Sequence, residues 1–177
     1  HLVVMGVAGT GKTTVAERLA GILGLPMAEG DDFHPGSNRD KMSAGIPLVD
    51  DDRWPWLRAL RDWMSARAGE GSSTVVACSA LRVADRDVLR EADGDVFFVH
   101  LVLPAAENLD RLEARPGHFM KGGMLDSQLA TLEPLGAGEA PVRARRRPSC
   151  RAEHRPRPAA LRGGAPARHG RPAGRTV

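Results

Sequence analysis

The sequence predicts an α/β protein in which a doubly wound parallel sheet lies between two layers of helices. Short apolar runs alternate along the chain with segments whose apolar residues recur every three or four positions. A glycine-rich loop follows the first run, and a group of carboxylates follows the second. Because strands that alternate with helices run parallel and are covered on both faces, these observations predict a three-layer fold. At 177 residues the chain has the size of one domain.

Four predicted strands share short apolar runs bounded by Gly, Pro or polar residues. The first leads into the glycine-rich loop, and the second ends in a polar cluster that starts at Gly30. The strands are predicted over residues 1–5, 27–29, 74–78 and 96–101. The sequence starts within the first strand without a methionine, so we expect a few residues to precede it.

The predicted helices carry apolar residues at helical spacing, and some have clear boundaries. Gly24 and Pro26 end the first helix. Asp50, Asp51 and Asp52 suit the start of the second, where carboxylates interact favourably with the helix dipole. The helices are predicted over residues 14–23, 50–68, about 83–91 and 105–114.

The pattern changes after residue 135, so the predicted domain covers residues 1–135 and a tail covers 136–177. Residues 141–177 hold 11 Arg, 7 Ala, 6 Pro and 4 Gly among 37 positions, with three large aliphatic side chains. Such a composition buries too little apolar surface to offset its ordering entropy, so we expect a disordered tail without strand or helix. A shifted reading frame of GC-rich DNA gives this composition, and a frameshift near residue 140 is our hypothesis for its origin.

The net charge of +3 combines two unlike segments. Residues 141–177 contain 11 of the 25 Lys and Arg and one acid, Glu153, whereas the rest of the chain has 14 bases and 21 acids. Because the predicted domain is acidic and the tail lacks aromatic residues for base stacking, we expect no nucleic-acid partner. A nucleic-acid-binding protein that uses its basic tail is the alternative from another class.

Location and redox state are predicted from what the given sequence contains. It has no long apolar run and no export leader, so we expect a cytoplasmic protein without a membrane partner. Cys78 and Cys150 lack the spacing of a disulfide framework or a zinc site. Cys78 lies in an apolar run, which is typical of a buried thiol.

The first motif with a chemical function is Gly6-x4-Gly11-Lys12-Thr13, which matches the phosphate-binding loop (P-loop). Glycines allow backbone angles that turn successive N–H groups toward phosphate oxygens, and the next helix presents its positive end to them. We expect Lys12 to reach the β- and γ-phosphates and the Thr13 hydroxyl to bind Mg²⁺. The predicted ATP-binding residues of this loop are Gly6, Gly9, Thr10, Gly11, Lys12, Thr13 and Thr14.

Glu29, Asp31, Asp32 and His34 cluster at the end of the second predicted strand. In a doubly wound sheet this strand end lies near the phosphate loop. One carboxylate there can orient an attacking hydroxyl and accept its proton, and a second can hold a magnesium-bound water. The cluster therefore predicts a kinase, and a solvated acidic loop is the ordinary alternative.

Three cations in the same half, Lys41, Arg53 and Arg82, suit an anionic acceptor. Arginine is the usual partner of a planar carboxylate, because it forms paired hydrogen bonds. Each cation taken alone is also compatible with an ordinary surface position. Together they predict a substrate-binding region over about residues 29–68, extended by Arg82.

Residues 111–126 combine basic side chains, among them Arg111, Arg115 and His118, with several glycines. This is the composition of a lid that closes over phosphates, excludes water and supplies positive charge. An ordinary connection between two helices is the alternative.

Together these residues closely resemble the small gluconokinase family within the nucleoside-monophosphate-kinase-like P-loop kinases. The resemblance covers roughly residues 3–135. The block that starts at Glu29 is more specific than the phosphate loop, which many unrelated proteins share. The matching stretches are GVAGTGKTT at 6–14, EGDDFHPGSNRDKMSAGIPLVDDDRWPWL at 29–57, CSALR at 78–82, DRDVLR at 85–90 and RPGHFMKGGMLDSQLATLEPL at 115–135.

The resemblance implies transfer of the γ-phosphoryl group of ATP to the 6-hydroxyl of D-gluconate with Mg²⁺, on a sheet of strand order 2-3-1-4-5. It implies that Asp31 faces the acceptor hydroxyl and that Glu29 binds the metal through water. The implied catalytic residues are Lys12, Asp31 and Arg115, the implied lid contacts to ATP are Arg111 and Arg115, and the implied substrate contacts are Asp31, His34, Lys41, Arg53, Arg82 and His118. The only implied partner is a small molecule, and both a monomer and a homodimer stay open.

Some positions depart from the family pattern. Arg82 stands where the family usually has Lys, and Pro116 where a basic residue is common. Family members continue with an apolar fifth strand and a closing helix, and nothing in residues 141–177 resembles either. We therefore expect the fifth strand and the last helix to be lost or replaced, with an open sheet edge and low stability. A shikimate-like, nucleoside-monophosphate or adenylylsulfate kinase is the alternative within the enzyme class.

Overall fold

Five parallel strands form one sheet in the order β2-β3-β1-β4-β5 in this computed structural model of the protein. The structure describes residues 1–113, 122–136, 139 and 142–145. The order of the first four strands confirms the predicted topology. The strands are β1 (Leu2–Met5), β2 (Met27–Glu29), β3 (Val75–Ala77), β4 (Phe97–Val102) and β5 (Val142–Arg145).

Six α-helices and one short 3₁₀ helix, Gly30–Phe33, lie within the described residues. The predicted helices correspond closely to α1, α3, α4 and α5, whereas α2 and α6 were not predicted. None of the described helices is long and apolar enough to cross a membrane. The helices are α1 (Lys12–Leu23), α2 (Gly36–Ser43), α3 (Asp50–Gly69), α4 (Val83–Arg90), α5 (Ala105–Glu113) and α6 (Gly122–Thr131).

Strand β5 shows that the fifth strand is replaced rather than lost, and it corrects the expectation that residues 141–177 contain no strand. It pairs in parallel with β4, from Val99 opposite Val142 to Val102 opposite Arg145. Pairing at a sheet edge requires backbone N–H and C=O groups, which every residue except proline supplies, so an apolar sequence is not needed. The expectations that the closing helix is lost or replaced and that the tail is disordered fall on residues 146–177, which lie outside the described residues.

Helices cover both faces of the sheet. Val3 and Met5 of β1 belong to one apolar cluster, with helix α3 packed against it, and Val4 belongs to another, with helix α1. The α3 side chains on the first face are Trp56, Leu57, Leu60 and Met64, and the α1 side chains on the second are Ala16 and Ala20, with Val15 and Leu19 at its margin. Because successive strand residues point to opposite faces, this arrangement is the predicted three-layer fold.

Cys78 follows β3 in the centre of the sheet. Its side chain is 1% exposed, and burial raises the pKa of its thiol to about 12. The prediction of a buried thiol at this position is confirmed.

Candidate active site

The loop between β1 and α1 has the backbone geometry of the predicted phosphate cradle. Gly6, Gly9 and Gly11 have φ angles of 140°, 81° and 86°, in the left-handed region that favours glycine. A Cβ atom at Gly9 would lie 2.9 Å from the carbonyl oxygen of Asn108. Both the backbone angle and the close approach therefore require glycine at position 9.

Two side chains of the loop close it on itself. The Thr10 hydroxyl donates to the carbonyl oxygen of Val7 at 2.8 Å, and the Lys12 ammonium lies 3.2 Å from the same oxygen. Lys12 is also the first residue of α1, whose leading N–H groups have no partner within the helix. The structure thus places the Lys12 charge and the positive end of a helix at one point.

Thr13 connects this loop to the end of β2. Its hydroxyl donates to Oε2 of Glu29 at 2.7 Å. Burial raises the pKa of Glu29 above its usual value, and the Thr13 bond and the Lys12 charge partly offset that effect. A hydroxyl and a carboxylate are the oxygen ligands that Mg²⁺ prefers, so this pair fits the proposed metal.

The remaining carboxylates of the cluster, Asp31 and Asp32, lie exposed on the 3₁₀ helix that follows β2. The charge of Asp31 contributes to the raised pKa of Glu29, after the larger effect of burial. It also opposes the lowering of the pKa of His34 that burial causes. The structure therefore brings Glu29, Asp31 and His34 into one electrostatic group.

His34 is held among side chains of α2 and α3. Its ring is 3% exposed and stacks on Trp56, with ring centroids 4.1 Å apart. The indole N–H of Trp56 donates to the carbonyl oxygen of Gly30 at 2.6 Å, which fixes the 3₁₀ helix against α3. Sequence reasoning did not single out Trp56, and no local signal shows its contact with Gly30. The role of His34 as a substrate contact stays a prediction.

Each of the three predicted substrate cations is bonded to a carboxylate near the start of α3. Lys41 donates to both oxygens of Asp52, at 2.6 and 2.8 Å. Arg53 and Arg82 share one oxygen of Asp50, and the Arg82 distance is 2.7 Å. Sequence reasoning assigned these aspartates to the helix start and missed that they gather the cations.

Two buried polar atoms beside this group have no hydrogen-bond partner in the described part of the chain: Nε of Arg53 and Oδ1 of Asp85. Asp85 accepts from the backbone N–H of Arg82 through its other oxygen, and burial raises its pKa. A buried donor and a buried acceptor without partners are available to a polar ligand.

The predicted lid is described only at its two ends. Arg111 of α5 donates to Glu107, one turn earlier, at 2.7 Å. Arg115, Pro116 and His118 lie outside the described residues, so their roles stay predictions. Helix α6 begins at Gly122, within the range predicted for the lid.

A parallel sheet with a phosphate loop after β1 and carboxylates after β2 defines a P-loop kinase. Comparisons with known proteins agree with this class. A gluconokinase of Gluconobacter oxydans is 50% identical over 142 residues, which cover 80% of this chain and 80% of that protein. No family model matches the chain.

Two solved structures are similar along most of their length. A sugar kinase from Janibacter sp. has a TM-score of 0.78 and 52% identity, covering 82% of this chain and 84% of that one. A gluconokinase from Sinorhizobium meliloti has a TM-score of 0.73 and 45% identity, covering 81% of each chain. The chain belongs to the gluconokinase family.

Proposed function

We propose that the chain transfers the γ-phosphoryl group of ATP to the 6-hydroxyl of D-gluconate, giving 6-phospho-D-gluconate and ADP. The hydrogen bond between Thr13 and Glu29, at 2.7 Å, carries the phosphoryl-transfer part of this proposal, and membership of the gluconokinase family supports gluconate as the acceptor. It joins the phosphate loop to the carboxylate cluster, so phosphates on the loop would lie beside the group that receives the hydroxyl.

The donor side uses backbone and cation together. The N–H groups of the loop and the start of α1 bind the phosphates, and Lys12 supplies positive charge to the β- and γ-oxygens. We assign Mg²⁺ to Thr13 directly and to Glu29 through water, where it would neutralise charge on the phosphates. Arg111 and Arg115 are the proposed lid contacts to the nucleotide.

The acceptor side uses Asp31 as the residue that orients the hydroxyl and accepts its proton. Its exposed position on the 3₁₀ helix leaves it accessible to a ligand. Lys41, Arg53 and Arg82 bind the carboxylate end of the substrate, which competes with Asp50 and Asp52 for their donors. His34 and His118 are the remaining proposed substrate contacts.

The proposal is tested by ADP release with a panel of acceptors: gluconate, shikimate, nucleoside monophosphates and adenylylsulfate. We expect turnover with gluconate and background rates with the others. Asp31→Asn should lower kcat by about 10²–10⁴-fold, the range for loss of a general base. Asp32→Asn, on the same exposed turn, is the matched control and should stay within a few-fold of the parent. Turnover at the parent's rate by Asp31→Asn, or preference for another acceptor, would contradict the proposal.

Location and assembly are part of the same proposal. We propose a cytoplasmic enzyme, because its donor is ATP. The chain mass is 19.0 kDa, so sedimentation distinguishes a monomer from a homodimer by a twofold difference in mass.

A further inference from the structure

Helix α6 contacts the phosphate loop through one apolar face. Leu125 is 3% exposed and packs in a cluster with Val7 and Ala8 of the loop, and Leu132 lies at the margin of that cluster. Residues 125 and 128 are three positions apart in α6, and the N–H of Leu132, just after the helix, donates to the carbonyl oxygen of Gln128 at 2.9 Å, so all three lie on one side. Gln128 is therefore a polar residue on an otherwise apolar contact face.

The Gln128 side chain has a specific partner. Its amide oxygen accepts from the backbone N–H of Ala8 at 2.7 Å, across 120 positions of the chain. Ala8 is 8% exposed, so its N–H has little access to water. A buried N–H without an acceptor is costly, and this hydrogen bond therefore fixes the direction of the Ala8 peptide.

The end of α6 is itself anchored to the acceptor half. The backbone N–H of Glu133 donates to the carbonyl oxygen of Leu81 at 2.9 Å. The Glu133 carboxylate accepts from the backbone N–H of Val83. The buried Arg86 also donates to the carbonyl oxygen of Glu133, at 3.2 Å. Gln128 thus links the phosphate loop to a helix end whose position is set by the segment next to Arg82.

We propose that Gln128 is a positioning residue for nucleotide binding, which holds the Ala8 peptide so that the following N–H groups of the loop converge on the phosphates. This inference rests on the proposed use of ATP and adds to it a residue outside the phosphate-loop motif. It acts through Ala8 and needs no contact with the ligand.

The test compares Gln128→Met with the parent chain. Methionine has a similar length but no amide oxygen, so the Ala8 N–H loses its acceptor. Calorimetry should show the Kd for ATP with magnesium raised about tenfold, because binding must then order a loop that the hydrogen bond holds in place in the parent. The KM for gluconate should change less than twofold. Ser127→Ala, at the neighbouring exposed position, is the control and should keep the parent's Kd.

A role in stability alone would lower the melting temperature and leave the Kd for ATP at the parent's value, and that result would overturn the proposal. If Gln128→Met does not fold, amide exchange in the nucleotide-free parent decides: slow exchange at Ala8 supports the hydrogen bond, and fast exchange overturns it. Calorimetry measures ATP binding without gluconate, so a wrong acceptor in the proposed function would leave this test intact.

Discussion

The two halves of the active site are built differently. Internal side-chain contacts of the phosphate loop join residues at most five positions apart, as in Lys12 to Val7. Around the acceptor cluster, several contacts join residues 11 to 32 positions apart, as in Lys41 to Asp52 and Arg82 to Asp50, beside short ones such as Arg53 to Asp50. The donor loop thus carries much of its shape in its own sequence, with Gln128 as a long-range support, whereas the acceptor site exists only once α2, α3 and α4 have packed.

The largest expected effect comes from removing the Lys12 charge while the backbone of the donor loop keeps its shape. Lys12→Met should lower kcat by about 10²–10³-fold, comparable to removal of one transition-state donor, while the fold is kept. Arg18→Met, on the exposed side of the same helix, is the control and should keep the parent's rate. Steady-state kinetics measures both, and equal rates would show that the loop works through backbone alone.

A second prediction concerns the framework of the acceptor half. The buried guanidinium of Arg86 binds Glu139 at 2.6 Å and also the carbonyl oxygen of Leu81, next to Arg82. Glu139→Gln should lower the free energy of unfolding by about 3 kcal/mol near neutral pH, because it leaves a buried charge unpaired. Urea unfolding measures this change, and Glu70→Gln, in an exposed pair with Arg67, should cost less than about 0.5 kcal/mol.

The same pair has a defined pH dependence. Hydrogen bonds from Arg86 hold the pKa of Glu139 at about 2, below its usual value of 4.5. A carboxyl group whose pKa is lower in the folded chain than in the unfolded chain stabilises the fold at pH values above its unfolded pKa. This contribution is lost as the pH falls toward the folded pKa. The difference between parent and Glu139→Gln should therefore be full above about pH 5 and shrink toward pH 2. A difference that is constant with pH would show that charge plays no part.

The third prediction tests the shape of the donor loop. Gly9→Ala places a Cβ atom 2.9 Å from the Asn108 carbonyl at a φ of 81°, and should destabilise the fold by about 1–3 kcal/mol. Gly21→Ala is the matched control, because nothing lies within 4 Å of a Cβ there. It should stabilise helix α1 by about 0.5–1 kcal/mol. Thermal melting measures the direction of both changes. Equal shifts in melting temperature would show that the loop does not require glycine at position 9.

The sequence predicted those parts of the fold whose signals are local. Four strands, four helices and the phosphate loop follow from apolar spacing and from glycines near Lys12. Helix α2 was missed because residues 36–43 carry almost no apolar periodicity, and β5 because edge pairing depends on backbone rather than composition. Likewise, the position of Trp56 against His34 depends on the packing of α3 and has no signature in either stretch.

The smallest effect concerns that long-range contact. Trp56→Phe keeps an aromatic ring against His34 but removes the N–H that bonds Gly30 at 2.6 Å. We expect a loss of about 1 kcal/mol in stability and a several-fold rise in the KM for gluconate, with the KM for ATP unchanged. A change confined to the KM for ATP would show that the two halves are not independent.

The buried thiol of Cys78 can report how often the central strands of the sheet separate. Alkylating reagents attack only an accessible thiolate, and Cys78 is 1% exposed with its pKa raised to about 12. In a Cys150→Ser variant, the alkylation rate of Cys78 therefore measures how often the central strands separate and expose the thiol. Bound nucleotide should lower the alkylation rate of Cys78, because a ligand that binds the folded state makes such openings rarer.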